Sequence, residues 1–422
     1  MGMIRGELTF PGDKSISHRA LMLAALCRGT SDIRNLSTGS DIQSTTDCLK
    51  ACGIYINNAY AADAAGRPVM VRGGPFQNPK TELNCGNSGT SARLLMGMLA
   101  GQGLKAAFRG DFSLSRRPMN RVLDPLRQMG LKAESKNGYL PINIYNSTLK
   151  GINYRPPAAS AQVKSALLLA ALGARGKTTI LEPVPTRNHT ELMLKELGAE
   201  IQMDRGEISL LPLEGKLADF EINIPGDPSS AAFFAAAALI IPGSEIILKN
   251  VLANPTRSGF FVQLEKMGAK IEWLDKWQAG AEWTGNLKIT AGALRSVQID
   301  KNQIPQLIDE LPILAVLATQ AQGTTIIKGA EELRLKESDR LRGICSNLAR
   351  LGAEIEEHEN GFIIQGPTPL KGAAIETFGD HRLAMAFTVA GLICSEPVKL
   401  DNSSCVDISY PGFFSALKGV MN

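Results

Sequence analysis

Apolar, alanine- and leucine-rich stretches recur along this sequence, and six of them follow directly on a short polar phrase. Gly12-Asp13-Lys14-Ser15 leads into residues 20–26, Gly86-Asn87-Ser88-Gly89-Thr90 into the stretch from Leu94, and Ser160-Ala161-Gln162 into the stretch from Ala166. Gly226-Asp227-Pro228-Ser229 leads into Ala231, Ile308-Asp309-Glu310 into Leu311, and Gly379-Asp380-His381 into Leu383. Side chains of Ser, Thr, Asp and Asn accept hydrogen bonds from the free N–H groups of a first helical turn. The pattern therefore predicts six buried helices that begin at these phrases.

Each apolar stretch is followed by a strand-like run, at residues 30–36, 104–109, 177–181, 244–251, 324–328 and 397–400. After most of these comes an amphipathic helix closing on glycine and a second strand, as in the related segments 194–201, 264–271 and 348–355. The repeat is longer than the roughly 20–50 residues of solenoid units. Six copies of a small α/β unit are expected, three before about residue 225 and three after it. The Pro-Gly punctuation at Ile224-Pro225-Gly226-Asp227 marks the halfway break. The first strand, residues 6–10, precedes that scheme and is free to pair with either half. Two such halves would leave a cleft able to close.

Composition narrows the function classes. A chain of 422 residues that is 44% hydrophobic buries a sizeable core. The longest apolar run, 231–241, is far below the roughly 20 residues of a membrane span, and the first residues lack a signal-peptide hydrophobic region. A cytoplasmic protein without membrane partners is expected. Seven cysteines without a Cys-x-x-Cys pair, two of them, Cys48 and Cys52, at helical spacing, point to packed, reduced thiols. Four scattered histidines give no metal-ligand pattern. A net charge of +4 is too small for a nucleic-acid footprint and suits a small acidic substrate.

The polar phrases carry cations where a helix start would disfavour them. Lys14 and Arg19 flank Ser15-Ile16-Ser17-His18, and Arg93 lies in the first turns after Gly86-Asn87-Ser88-Gly89-Thr90. Such a cation opposes the helix dipole, at a cost of up to about 1 kcal/mol unless an anion lies between. Arg116-Arg117-Pro118 precedes one amphipathic helix, and Thr186-Arg187-Asn188-His189 is placed as the cap of another. Lys336 and Arg340 read as an i, i+4 like-charge pair that Asp339 relieves, and Arg382 enters an otherwise apolar helix. Arginine forks grip carboxylate and phosphate, and lysine adds a compact charge. Two acids complete the set, Asp309 and Glu337, an acid and a base in a cationic setting. Spacing alone does not separate Asp309 as a plain cap from Asp309 as a proton carrier.

Pro11-Gly12-Asp13-Lys14-Ser15-Ile16-Ser17-His18-Arg19, Gly86-Asn87-Ser88-Gly89-Thr90, Arg117-Pro118, Lys336-Glu337-Ser338-Asp339-Arg340 and Gly379-Asp380-His381-Arg382 occur in one order across essentially the whole chain. Together they resemble the signatures of the 5-enolpyruvylshikimate-3-phosphate synthases. The resemblance implies an α/β fold of two similar halves, each of three βαβαββ units around buried parallel helices, an inside-out α/β barrel. The expected domains are residues 1–12 with 226–422, and 13–225. The implied reaction transfers the enolpyruvyl group of phosphoenolpyruvate to the 5-hydroxyl of shikimate 3-phosphate, by addition and elimination, on the route to chorismate and aromatic amino acids. No metal or organic cofactor is implied, the partners are the two small substrates, and family precedent is a monomer.

Carried over position by position, the resemblance makes Lys14, Asn87, Gly89, Thr90, Arg117, Gln162, Arg340 and Arg382 contacts of phosphoenolpyruvate. It makes Lys14, Ser15, Arg19, Ser160, Gln162, Thr186, Arg187, Asp309 and Lys336 contacts of shikimate 3-phosphate. Asp309 is the implied base on the 5-hydroxyl, Glu337 exchanges the proton at the methylene carbon, and Lys14 assists. The chain also departs from some members. Ser160-Ala161-Gln162 stands where those have Ser-Ser-Gln, and Arg187 is expected to replace the lost phosphate contact, as in a second branch of the family. Ile408 stands where a lysine contacts phosphoenolpyruvate in certain members. Gly89 leaves room for inhibition by glyphosate. Two other readings remain in view, a UDP-N-acetylglucosamine enolpyruvyl transferase and a non-catalytic protein binding anions or RNA ends. The first would call for a Lys-Asn-Ala-Ala phrase and a cysteine-bearing loop, and the second for a basic stripe or stacking platform.

Overall fold

The computed structural model describes residues 2–57 and 67–422. The chain folds as two compact units, one of Met1–Pro11, Pro225–Gln278 and Trp283–Asn422, the other of Gly12–Ile224 and Ala279–Glu282. The 12–224 unit carries helices α1 (Lys14–Leu26), α2 (Ser40–Ala51), α3 (Gly89–Gly101), α4 (Asn120–Gln128), α5 (Ala161–Ala171) and α6 (His189–Glu196). The 225–422 unit carries α7 (Pro228–Ile240), α8 (Gly259–Lys266), α9 (Leu311–Ala318), α10 (Arg340–Arg350), α11 (His381–Gly391) and α12 (Phe413–Gly419).

Five of the six polar phrases cap their helices by the expected chemistry. Asp13, Ser88, Ser160, Asp227 and Asp380 each accept a backbone N–H of the first turn with the side chain. The sixth does not. Asp309 lies inside a 3-10 turn, Ile308–Glu310, and α9 begins after Glu310, which makes no side-chain cap. Pro312 at the start of α9 supplies a preset φ and needs no N–H partner there. A second expectation also fails. Lys336 and Arg340 do not share a helix, because α10 starts at Arg340 with Asp339 as its cap. Asp339 pairs with Arg334 at 2.9 Å instead of relieving a like-charge pair. The cap of α6 falls on Asn188.

Among the described residues the 12–224 unit has three four-stranded sheets, and the 225–422 unit has two four-stranded sheets and one of two strands. The sheets are open and form no closed barrel. The second, third and fifth repeats pair the strand before the buried helix in parallel with the strand after it, then add an antiparallel hairpin, as in 153–154 with 178–181 and then 207–210 and 201–204. The first strand joins the later half, Arg5 pairing with Glu245 through Thr9 with Lys249. Strand 221–223 takes the equivalent place beside 30–34. The sixth repeat is abbreviated. Residues 374–375 and 399–400 pair in parallel, and a 3-10 turn (Ser404–Ile408) with α12 stands where a hairpin would be.

The buried helices need apolar residues on every side because each packs against others all round. Only Ile240 of α7 escapes full burial, and Phe233 and Phe234 meet Phe10, Tyr410 and Phe413 ring to ring at 5.6–6.1 Å. Helices α3 and α5 approach backbone to backbone, since a Cβ on Gly97 would lie 2.1 Å from the carbonyl oxygen of Ala166. That contact fixes the starts of α3 and α5 relative to each other, and both starts carry candidate site residues.

Candidate active site

In the 12–224 unit the helix starts gather most of the predicted contacts. Lys14 donates to Asp41 Oδ2 at 3.0 Å, which holds its ammonium at the α1 start. Arg187 donates to Ser15 Oγ at 3.4 Å. Arg19 is buried with all three guanidinium nitrogens committed: Nε to Thr190 Oγ1 (2.7 Å), Nη1 to the Ser15 carbonyl (2.8 Å) and Nη2 to Ser165 Oγ (2.6 Å). Burial lowers its pKa to about 10, against the opposing pull of Glu191 and Asp13, and it ties α1 to α5 and α6.

The loop before α3 forms a second group. Arg117 Nη2 donates to Asn87 Oδ1 at 2.9 Å, and Asn87 Nδ2 donates to Asp111 at 2.8 Å. A Cβ on Gly89 would stand 3.2 Å from Arg93 Nη1 and 3.3 Å from Arg117 Nη1, so glycine lets both guanidiniums approach this turn. Gln162 is oriented at both ends, its amide donating to Thr90 Oγ1 (3.0 Å) and accepting from Arg93 (2.5 Å). Ser160 accepts the N–H of Val163 at the start of α5. Thr186 donates its hydroxyl to Glu182 at 2.5 Å.

In the 225–422 unit the cluster turns on Arg340, which is 1% exposed. Its Nε donates to Asp380 Oδ2 at 2.7 Å, its Nη1 to Asp309 Oδ1 at 3.3 Å, and its Nη2 pairs with Glu337. Lys336 Nζ also reaches Asp309 Oδ1 at 3.3 Å, and Arg382 Nη1 donates to the Asp309 carbonyl at 3.0 Å. Burial opposes the charge on Arg340, but Asp380, Glu337 and Asp309 outweigh it and hold the group protonated above its ordinary pKa. Behind this layer Arg257 pairs with Asp227 and Glu310, both at 3.0 Å. Ile408 is partly buried against this unit's core.

Asp41, Glu182, Arg257, Glu310 and Asp380 are partners that no motif had assigned to the site. Asp380 and Glu310 had a local signal, each standing in a polar phrase before a buried helix. The others act across 18 to 53 residues of sequence.

Beneath the α1 start, His18 Nδ1 lies 2.7 Å from Thr45 Oγ1, which lies 2.7 Å from Ser91 Oγ. Burial, then Lys14 and Arg19, press the His18 pKa well below its ordinary value. The folded chain therefore keeps the ring neutral while an unfolded chain protonates it near pH 6.5. His18 thus contributes stability that is present above about pH 6.5 and lost as pH falls toward the folded value, at up to about 1.4 kcal/mol per unit. Urea unfolding at pH 7.5 and 5.5 is expected to show a larger loss in the parent than in His18→Gln. Equal losses would remove His18 as the source.

The cysteines are free. Burial raises Cys52 and Cys345 to about 12, so these thiols stay protonated and act as packing groups.

The sequence model of EPSP synthase (3-phosphoshikimate 1-carboxyvinyltransferase) matches residues 1–417. The chain belongs to the EPSP synthase family. A 3-phosphoshikimate 1-carboxyvinyltransferase of Bacillus subtilis (strain 168) is 44% identical over 420 residues, covering 98% of this chain and 96% of that protein. A solved EPSP synthase from Acinetobacter baumannii superposes with a TM-score of 0.87 at 38% identity, over 100% of this chain and 96% of that one. The enolpyruvyl transferase NikO of Streptomyces tendae, at 16% identity and a TM-score of 0.79 over 99% of this chain and 95% of its own, shares the fold. As an EPSP synthase family member the chain is a transferase of the shikimate pathway, moving the carboxyvinyl group of phosphoenolpyruvate to shikimate 3-phosphate. The family match decides for this reading over UDP-N-acetylglucosamine transfer and over anion or RNA-end binding.

Proposed function

We propose that Asp309 and Glu337 carry the protons of this reaction while the surrounding cations hold the substrates. The observation that supports it is their shared setting, since Asp309 and Glu337 both pair with the fork of Arg340. Glu337 delivers a proton to the methylene carbon of phosphoenolpyruvate, and Asp309 takes the proton of the 5-hydroxyl as its oxygen bonds to the adjacent carbon. Departure of phosphate, which carries away the proton held by Asp309, and return of a methyl proton to Glu337 restore the double bond and both carboxyl groups. Lys14, Arg117, Arg340 and Arg382, with Asn87, Gly89, Thr90 and Gln162, bind phosphoenolpyruvate. Such fixed cations stabilise the charge that moves to the leaving phosphate without reorganising water.

Shikimate 3-phosphate is assigned to Lys14, Ser15, Arg19, Ser160, Gln162, Thr186, Arg187, Asp309 and Lys336, with Arg187 on its phosphate. The chain works as two domains, residues 1–12 with 226–422 and 13–225, as a cytoplasmic monomer. Among the described residues no helix is long and apolar enough to cross a membrane. The space kept by Gly89 beside Arg93 and Arg117 supports glyphosate as an inhibitor.

Arg187→Ala tests the phosphate assignment. An arginine–phosphate contact is a charge-assisted hydrogen bond, and its loss is expected to raise the KM for shikimate 3-phosphate about 10- to 100-fold. The KM for phosphoenolpyruvate should move by less than about threefold. An unchanged KM for shikimate 3-phosphate would take Arg187 off the phosphate.

A further inference from the structure

We infer that Lys164 is a positioning residue for the phosphate of shikimate 3-phosphate, acting through Thr186 and Arg187. The inference rests on the reading that Arg187 meets that phosphate. Lys164 sits on α5, two residues beyond Gln162, with its side chain fully buried. An ammonium has three N–H donors, and here the group has three partners. It donates to Glu182 Oε2 at 2.9 Å and to the Thr186 carbonyl at 3.4 Å, and pairs with Glu191 Oε1 at 2.6 Å. The Thr186 hydroxyl closes a ring by donating to the other oxygen of Glu182 at 2.5 Å.

The segment 182–188 has no helix or strand, and Pro183 and Pro185 remove two of its backbone donors. One backbone bond, from the Glu182 N–H to the Gly206 carbonyl at 2.8 Å, holds its first residue, and side-chain ties hold the stretch beyond. Lys164 grips Thr186 twice, directly at the carbonyl and through Glu182 at the hydroxyl. The next residue, Arg187, is thereby placed with its Nη1 3.4 Å from Ser15 Oγ at the α1 start. Thr186 is 4% exposed, and its hydroxyl proton is given to Glu182, so its contact with substrate is left to its backbone N–H while its side chain serves this loop as an anchor. A parallel tie, Thr190 Oγ1 to Ser165 Oγ at 2.8 Å, fixes the starts of α6 and α5 one residue away from the Glu191–Lys164 pair.

Stability alone is a poor reason for burying one lysine with two glutamates. Apolar replacement of such a cluster is often neutral or favourable, whereas the ions fix one geometry through directional bonds. Here that geometry belongs to the loop bearing Arg187, so the cluster is read as a device for substrate placement. Misplacement by about 1 Å is enough to cost orders of magnitude at a reacting or binding group.

The test is steady-state kinetics with each substrate varied in turn on Lys164→Met, Thr186→Val, Thr186→Ser and Arg187→Ala, and on Lys164→Met and Thr186→Val each combined with Arg187→Ala. Lys164→Met and Thr186→Val are expected to raise the KM for shikimate 3-phosphate about tenfold and to leave the KM for phosphoenolpyruvate nearly unchanged. Thr186→Ser should restore the parent value. In the Arg187→Ala background both effects should disappear. Equal rises in both KM values, or full additivity with Arg187→Ala, would overturn the inference. Arg187→Ala with an unmoved KM would instead overturn the reading beneath it. If Lys164→Met does not fold, the Thr186→Val and Thr186→Ser pair decides.

Discussion

Asp309→Asn is expected to lower the rate of phosphate release from phosphoenolpyruvate, measured with shikimate 3-phosphate saturating, by about 10²- to 10⁴-fold, the range that a positioned acid or base contributes. The substitution keeps the shape of the side chain and an oxygen that Lys336 and Arg340 can reach, so it removes proton acceptance while sparing most of the packing. Calorimetric binding of shikimate 3-phosphate should therefore weaken far less than the rate falls. Such a split identifies an interaction made chiefly in the transition state. Phosphate release must also depend on shikimate 3-phosphate in the parent, because proton removal from its hydroxyl is the step at issue. A variant within threefold of the parent rate would move the base to another group, and Glu337→Gln would then be the next substitution to measure.

The contrast between Asp309 and Asp380 shows what the sequence could disclose. Both acids stand before apolar helices, yet Asp380 caps α11 and Asp309 does not cap α9. Capping is a local hydrogen bond over two or three residues, so Asp13, Ser88, Ser160, Asp227 and Asp380 were legible from spacing and residue type alone. Asp309 was legible as a candidate acid but not as the partner of Lys336 and Arg340, which lie 27 and 31 residues onward. The misreading of Lys336 and Arg340 as one helical face has a similar cause. Charge spacing suggested a helix through both, while the Asp339 cap, a local signal also present in the sequence, starts the helix after Lys336. Asp41 beneath Lys14, Glu182 beneath Lys164 and Arg257 behind Asp309 were out of reach, because only tertiary folding brings them to their partners. The sixfold pattern was readable because buried helices and glycine-closed amphipathic helices repeat; the abbreviated sixth sheet was not, since its strands of two residues carry almost no periodicity.

Arg340→Ala is expected to carry the largest combined effect, since the three guanidinium nitrogens serve three different carboxylates, Asp380, Asp309 and Glu337. Removing one partner of a buried ion pair costs about 3–5 kcal/mol because the remaining charge stays desolvated, and here three are released at once. Urea unfolding at pH 7.5 should show a loss of at least that size, with phosphate release near background. Arg340→Lys is the informative control. It restores one positive charge but not the planar fork, so it should recover part of the stability and little of the activity. The pH dependence has a definite sign. Because the folded-state pKa of Arg340 lies above its ordinary value, its contribution is complete below the unfolded-state pKa of arginine, far above neutral pH, and is lost only as pH rises through the still higher folded value. The stability gap between parent and Arg340→Ala should accordingly be constant from pH 7.5 to 9.5. A gap that closes across that interval would mean that the stabilisation comes from a group titrating there, and not from the arginine that joins Asp309, Glu337 and the cap of α11.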